Sequence, residues 1–321
     1  MELASKKSTN TSKTKVHSFW KTAKNQKILY LMSLPFVAWV FVFNYLPVWG
    51  GWTMAFQNFR PGNAIWEQEW VGFEHFIALF QDERFFLALR NTLAMSFLGL
   101  LFGFTIPPII FAILLNEVRH SIFKRVTQTV TYLPHFVSWV VVAGIVTKML
   151  STDGGIVNDL LMGIGIIDEP FQFMAQEKWF WGGIVTVSDI WKEMGWNAII
   201  FLAAIAGLDP QLYEAAKVDG AGRFRQIWHI TLPGIRPTIL VVLILNIGHL
   251  IQIGFEKQML LGNPLVVDYA EVLELYALNY GIGLGQFSYG TAIGIFNSVV
   301  SIFLLFLANG IFKKYSNQSV M

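Results

Sequence analysis

The charged and polar residues that could do chemistry are concentrated in one segment of this 321-residue chain, between two long apolar runs. The segment reads DPQLYEAAKVDGAGRFRQIWHITLPGIRP and occupies residues 209–237. Charged side chains are unfavourable inside the hydrocarbon core of a bilayer, and this segment carries several of them. We therefore predict an aqueous loop over residues 207–237, on the cytoplasmic side of a membrane.

Capping signals predict that the loop begins with a short helix. Asp209 can accept hydrogen bonds from free backbone N–H groups of the first turn, and Pro210 suits the first helical position. Gly220 suits the left-handed residue that commonly follows the end of a helix. The helix is expected to run from Pro210 to about Val218.

A second short helix is predicted over residues 222–230. It carries Arg223 and Arg225, which cannot face the same way on a helix, so at least one of them is free for a partner or a lipid phosphate. Leu232 and Pro233 are expected to end this helix, because the residue before a proline disfavours the helical conformation.

The first of these helices could bind a partner protein. Glu214 offers a negative charge that an arginine could bind through two hydrogen bonds, and Ala215 and Ala216 are small enough for another backbone to come close. A solvated loop with two capped helical turns is the plainer interpretation. Capping alone does not separate these two interpretations.

Three charged residues interrupt the apolar run over residues 180–206. Asp189 lies three residues before Lys192 and four before Glu193, so the three share a broad helical face. One interpretation is an ion pair of Lys192 with a neighbouring carboxylate that locks helices together. The other is the lining of a translocation path, where Lys192 could meet an anionic sugar.

A second polar stripe lies within the run over residues 238–261. Asn246, His249, Gln252 and Glu256 recur every three to four residues, which favours a water-filled interior over a lipid face. Aromatic rings can stack on the apolar faces of sugars, although simple packing is the commoner role of any single tryptophan. The remaining candidates for the path are Trp191, Trp196, Asn197 and Tyr289.

Composition places these residues in a polytopic membrane protein. The chain is 54% hydrophobic and only 14% charged, whereas a soluble domain carries about a quarter charged residues. Six runs are long enough to cross a bilayer. They occupy residues 28–56, 89–115, 126–150, 180–206, 238–261 and 289–312. Prolines inside the first three runs, such as Pro134, are expected to kink helices and not to end spans. Residues 71–90 have the spacing of an interfacial amphipathic helix.

Basic residues predict the orientation of the spans. They are concentrated in an N-terminal tail (residues 1–27), in alternate loops including residues 207–237, and in a C-terminal tail (residues 313–321). The opposite loops are mostly acidic. By the positive-inside rule both termini are cytoplasmic.

Several classes of function are not expected. The six histidines show no pair at metal-ligand spacing on one helix, so we predict no metal site and no catalytic triad. The phosphate-binding pattern GxxxxGK[ST] does not occur, so the chain is not expected to bind ATP in that way. The net charge of +2 is too small to indicate nucleic-acid binding.

The loop resembles the EAA signature of permease subunits from ABC importers. The resemblance rests on Glu214, Ala215, Ala216 and Gly220, followed by Leu232 and Pro233, and it extends over residues 31–314. Three other segments agree with the sugar-importer branch, which is similar to maltose permeases (type I importers). They are residues 72–93, 132–145 and 191–223. Within the polysaccharide and oligosaccharide group, the chain is most similar to permeases of alginate-type importers.

This resemblance implies an all-α transmembrane fold: a six-helix type I ABC importer permease with a cytoplasmic coupling-helix loop, in a bacterial inner membrane. Two different permeases would pair, two ATPase subunits would carry ATP and Mg²⁺, and an extracytoplasmic binding protein would deliver an oligosaccharide. The permease would work by alternating access and carry out no covalent chemistry, so it would not itself be an enzyme. The residues implied in coupling to the ATPase are Glu214, Ala215, Ala216, Gly220, Arg223, Leu232 and Pro233.

Other functions stay open at this point. The substrate could be another complex sugar, and the chain could be an ion-driven secondary carrier. Secondary carriers usually show inverted repeats and their own coupling-ion site, and neither is found in the sequence. A membrane-embedded enzyme would need a cluster of His, Asp or Glu that the sequence does not supply.

Overall fold

The computed structural model of this chain describes residues 26–248 and 250–316, with side chains to residue 310. The described part is mainly helical. Its helices are α1 (Lys27–Met54), α2 (Glu74–Gln81), α3 (Glu83–Glu117), α4 (Ser121–Phe136), α5 (Trp139–Met149), α6 (Ile156–Gly163), α7 (Glu177–Ala206), α8 (Pro210–Val218), α9 (Arg223–Ile247), α10 (Glu256–Leu261), α11 (Val267–Ala270), α12 (Leu273–Leu278) and α13 (Phe287–Ser316).

Only short elements accompany the helices in this part of the chain. Two 3-10 turns cover Ile65–Glu67 and Phe173–Ala175. Two antiparallel strands, β1 (Gln57–Asn58) and β2 (Glu69–Trp70), form a small hairpin before α2. The predicted tails fall largely outside the described residues, except that residues 313–316 continue helix α13.

Four described helices are long and apolar enough to cross a membrane: α1, α3, α9 and α13. Two further pairs reach that length together, α4 with α5 and α7 with α8. The number rises to six if each bent pair counts as one span, in agreement with the six predicted runs. The all-α transmembrane prediction is therefore confirmed.

The third predicted run, residues 126–150, is not one kinked helix. The chain turns by 103° between α4 and α5. A 3-10 turn that contains Pro134 ends α4, and Val137 and Ser138 then adopt extended backbone. The expectation that Pro134 only kinks a span was therefore wrong.

The second loop helix also differs from its prediction. It does not end at Leu232 and Pro233, because α9 continues through Pro233 and Pro237 to Ile247. A π-helical turn at Ile227–Thr231 comes first, and Pro233 lies in the first turn of the α-helical part that follows. A proline is tolerated in the first turn of an α-helix because an N–H group at that position would have no α-helical acceptor.

The fifth predicted run, residues 238–261, is broken in the structure. Helix α9 ends at Ile247, and the next helix, α10, begins only at Glu256. Gly254, in the link between them, has a left-handed φ of 77°. The expected stripe of polar residues is therefore not one helical face, and one of its members, His249, lies outside the described residues.

Several helices contain π-helical turns, where one extra residue widens the helix. They lie at Phe41–Tyr45, Gly99–Gly103, Phe180–Thr186, Ile227–Thr231 and Asn279–Gly283. Threonines satisfy carbonyls in two of them. Thr105 donates to the carbonyl of Leu100, and Thr186 to that of Trp181, each at 2.6 Å. Inside a bilayer no water is present to donate to these carbonyls, and the threonine hydroxyls donate instead.

The buried core is shared among α3, α7, α9, α12 and α13. Phe85, Phe180, Phe201, Tyr276 and Ile293 are among its fully buried side chains. Helix α1 is different, since none of its side chains is buried. Its apolar surface is thus left for contacts outside this chain.

Candidate functional site

The first helix of the loop over residues 207–237 forms as its capping residues predict. Helix α8 covers Pro210–Val218, with Pro210 in its first turn. The Asp209 Oδ1 atom accepts a hydrogen bond from the backbone N–H of Gln211 at 2.9 Å. Asp209 therefore satisfies a donor that would otherwise be free at the start of the helix.

The end of α8 is closed by its own backbone. Gly220 has a φ of 73°, in the left-handed region. The N–H of Ala221 donates to the carbonyl of Ala216 at 2.8 Å, and the N–H of Gly220 donates to that of Lys217 at 3.1 Å. This pair of bonds is the Schellman arrangement, and it stops the helix at a defined residue.

The outer face of the loop is exposed and partly apolar. Glu214 and Ala215 are exposed, and Ala216 is half-buried. Val218 is 88% exposed and Phe224 is 90% exposed. Apolar side chains grouped on an otherwise polar loop are typical of a surface that binds another protein.

The inner face of the loop is tied to the helix bundle. The hydroxyls of Tyr213 and Thr231 lie 2.9 Å apart. The Arg223 Nε atom lies 3.7 Å from the Glu117 Oε2 atom at the end of α3. Leu208 packs so closely on Gly234 that a Cβ added there would lie 2.6 Å from the leucine side chain. The tyrosine–threonine contact joins α8 to α9, and the Arg223–Glu117 contact joins α9 to α3.

A second group of charges lies inside the bundle. Both carboxylate oxygens of Asp189, on α7, accept hydrogen bonds from the Lys257 ammonium on α10, at 2.7 and 3.0 Å. The two side chains are only 10% and 15% exposed. Charged groups this deeply buried need a partner, and this pair joins two helices that are distant in sequence.

Lys192 has different partners. Its ammonium donates to the carbonyl of His135 at 2.6 Å and lies 3.2 Å from the Glu193 Oε1 atom. The other oxygen of Glu193 lies 2.7 Å from the Nδ1 atom of His135. The His135 ring stacks on Trp196, with centroids 4.4 Å apart and an interplanar angle of 1°. This network joins α4 to α7.

Trp139, at the start of α5, contacts both ion pairs. The Lys192 and Lys257 ammonium groups lie 5.8 and 5.6 Å from the centre of its ring. A positive charge at this distance is attracted to the face of an indole. Trp139 therefore offers a cation–π contact to both ammonium groups.

A cavity of about 350 Å³ lies beside this group. Its wall contains four of the predicted path residues: Asp189, Glu193, Asn246 and Gln252. The charged and aromatic part of the wall is completed by Lys257, Glu256, Trp139 and Phe104. Lys192 is behind the wall, and its side chain is only 7% exposed.

The other predicted path residues lie elsewhere. Asn197 donates to the carbonyl of Gly103 at 3.1 Å and so joins α7 to α3. Trp196 packs on His135, and Trp191 lies beside a separate, mainly apolar cavity. These three residues therefore hold helices together or face outward, and the structure does not bring them to the charged cavity.

Tyr289 belongs to a separate hydrogen-bonded group. Its hydroxyl lies 2.7 Å from that of Tyr276, which donates to the Asp82 Oδ2 atom at 2.5 Å. Burial raises the pKa of Tyr276 above its ordinary value, and its bonds to Asp82 and Tyr289 act in the same direction. The Tyr276 hydroxyl therefore stays protonated and joins α12 to the start of α3.

Three residues of the charged group were missed by the sequence analysis: His135, Trp139 and Lys257. Lys257 could have been found, because it lies in a predicted apolar run and is as conspicuous there as Lys192 in its own run. His135 and Trp139 gave no such signal. In the described part of the chain, no three His, Cys, Asp or Glu side chains come together in a way that could hold a metal ion.

Comparison with known protein families identifies the family of this chain. The family described as "Binding-protein-dependent transport system inner membrane component" matches residues 99–316. The chain belongs to this family. The permease prediction is therefore confirmed, and the chain is a membrane component of a binding-protein-dependent importer.

Individual relatives of this permease agree. It is 46% identical, over 295 residues, to the polygalacturonan/rhamnogalacturonan transport system permease protein YteP of Bacillus subtilis (strain 168). The match covers 92% of this chain and 90% of YteP.

A solved bacterial ABC transporter, involved in the import of the acidic polysaccharide alginate, contains a similar chain. The TM-score is 0.84 at 41% identity, over 93% of this permease and 99% of that chain. A second structure shows an alginate transporter in complex with a periplasmic protein that holds an alginate pentasaccharide. It matches with the same score and identity, over 94% of this permease and 99% of that chain. The type I importer fold is confirmed by these matches.

Proposed function

We propose that this permease imports acidic oligosaccharides or polysaccharide fragments, which an ATPase drives across the inner membrane. The similarity to the alginate importer, over nearly the whole chain, is the observation that carries this proposal. The polygalacturonan permease YteP gives independent support, because polygalacturonan, like alginate, is a polymer of sugar acids. Uptake of a different complex sugar is the alternative.

The cytoplasmic loop is the proposed site of coupling to the ATPase. Its exposed Glu214 could bind an arginine of the ATPase, while Val218 and Phe224 could enter an apolar groove. The small side chains of Ala215 and Ala216 would let the backbone of the ATPase come close. Gly220 ends the helix at a defined residue. The surface is connected to the bundle by Arg223, Leu232 and Pro233. Motion of the ATPase would therefore move the spans and open the cavity in turn to the two sides of the membrane.

The proposed complex contains chains other than this one. A second, different permease would complete the pathway, and the exposed helix α1 supports such a contact. Two ATPase subunits would bind ATP and Mg²⁺, and an extracytoplasmic binding protein would deliver the sugar. The basic residues of the loops support an orientation with both termini in the cytoplasm.

Uptake by the reconstituted complex tests the proposal. Proteoliposomes with the complete complex would be supplied with the binding protein loaded with tetragalacturonate or an alginate tetrasaccharide. We expect uptake that requires ATP and persists when sodium and proton gradients are abolished. Uptake that follows an ion gradient without ATP would refute the mechanism, and uptake of neutral sugars alone would refute the substrate class.

A further inference from the structure

The two buried lysines of the charged group differ in their access to the cavity. Lys257 lies in the cavity wall, whereas Lys192 does not. Lys192 is bound by the carbonyl of His135 and the carboxylate of Glu193, which belong to the protein's own scaffold. Lys257 therefore differs from Lys192 in being open to a molecule in the cavity.

Lys257 also has capacity for a further partner. An ammonium group carries three N–H donors. Within the described residues, the hydrogen-bond partners of Lys257 are the two oxygens of Asp189 and no others. One donor is therefore left for a first contact with a ligand, and any further contact would displace Asp189 from the ammonium.

The charges of the cavity wall indicate that an anion would bind at Lys257. Asp189, Glu193 and Glu256 carry negative charge there, and Lys257 is the lysine among the wall residues of the described chain. Two of these carboxylates are paired with lysines, Asp189 with Lys257 and Glu193 with Lys192, which reduces their repulsion of an anion. A carboxylate that enters the cavity meets Lys257 as the positive charge in the wall. It would bind next to Lys257.

We propose that Lys257 binds a carboxylate of the transported sugar, and that Asp189 holds this lysine in place while the cavity is empty. The inference rests on the proposed function, since it needs an acidic substrate. Trp139, in the same wall, offers an aromatic face beside Lys257 on which the sugar ring can stack. Asp189 and the substrate compete for one ammonium, so Lys257 sets the preference for acidic sugars.

If Asp189 and the substrate compete for Lys257, substitutions of Lys257 and of Asp189 should have opposite effects on uptake. Lys257→Gln removes the positive charge, so we expect uptake of tetragalacturonate to fall about tenfold or more, the effect of losing one charge-assisted hydrogen bond. Uptake of the fully methyl-esterified tetrasaccharide should change by less than about twofold, because the ester carries no charge to bind. Asp189→Asn removes the competitor, so uptake of tetragalacturonate should be equal to that of the wild type or higher.

Lys192→Gln is the matched control, since it changes the same residue type behind the wall. It should lower the uptake of both sugars by the same factor. Each rate is divided by the amount of binding protein loaded with that sugar, measured separately, so that the preference of the binding protein cancels. Assembly of each variant complex is checked by size-exclusion chromatography.

Two results would overturn the inference. One is an equal loss of the acidic and esterified sugars in Lys257→Gln. The other is a selective loss of the acidic sugar in Asp189→Asn, which decides the matter even if Lys257→Gln does not assemble. A wild-type complex that carries no acidic sugar at all would instead refute the proposed function, so the two failures are distinguishable.

Discussion

The loop over residues 207–237 and the buried charged group are built from similar residues but are held by different contacts. In the loop, Asp209 caps a backbone N–H two residues away, and Gly220 closes the same helix within one turn. In the charged group, Asp189 is paired with a lysine 68 residues away. His135 lies 57 and 58 residues from its partners. The loop is thus determined locally, and the charged group is determined by the packing of the bundle.

The difference follows from the solvent. Water can satisfy the exposed groups of the loop, so only a few local bonds are needed to define its shape. Inside the bundle water is scarce, and each charge requires a partner wherever the fold can supply one. Changes of exposed side chains in the loop should therefore affect function with little loss of stability, and changes in the charged group should affect stability as well.

The largest expected effect is in the loop. Glu214→Arg reverses an exposed charge at the proposed ATPase contact, so we expect stimulation of ATPase activity by the loaded binding protein to fall to the basal rate. The complex should still insert and assemble. Gln211→Arg, on the same exposed helix, is the control and should keep most of the stimulation. Normal stimulation in Glu214→Arg would remove this residue from the coupling surface.

A change in the charged group should instead destabilise the protein. Glu193→Ala removes an acceptor shared by Lys192 and His135, leaving a buried charge with fewer partners, and should lower stability by roughly 3 kcal/mol. Thermal unfolding of the assembled complex measures this loss. Glu256→Ala is the matched control, because Glu256 lines the same cavity but is exposed. Equal midpoints for the two variants would contradict the claim that the paired, partly buried carboxylate of Glu193 stabilises the bundle.

A smaller effect on stability is expected at the end of α8. Gly220→Ala forces a side chain into the left-handed region, which costs about 1 kcal/mol even though open space surrounds the site. Gly222→Ala, where φ is −67° and space is also open, should cost much less. Hydrogen exchange of the α8 amides would report the difference. Equal exchange in both variants would show that the Schellman bonds do not determine the end of this helix.

The smallest effect is expected for the ion pair between the loop and α3. The side chains of Arg223 and Glu117 are 57% and 37% exposed, so Glu117→Gln should change stability by less than about 0.5 kcal/mol. Uptake should remain close to that of the wild type, because the contacts of Tyr213 with Thr231 and of Leu208 with Gly234 still connect the loop to α9. A large loss of uptake with unchanged stability would show that this contact transmits motion, which would make it part of the coupling surface.

The same difference explains what could be predicted from sequence. Helix α8 was predicted with both ends because its determinants, Asp209, Pro210 and Gly220, are adjacent to it. The partner of Asp189 was not predicted, since nothing near that residue points to Lys257.

Errors at the span ends have a related origin. The helix break at Ile247 and the continuation of α9 through Pro233 depend on contacts with other helices, such as that of Gly248 with Leu305 on α13. Apolar runs and prolines therefore identified the spans but not all of their limits.

The π-helical stretch at Phe180–Thr186 is a place where the chain can lose a residue without rearrangement of the bundle. A π-helical turn accommodates an additional residue without turning the flanking helix out of register. Deleting one residue there would leave an ordinary α-helix, with Asp189 and its neighbours still directed toward the same partners. The loss of one residue at this point is therefore compatible with an intact charged group.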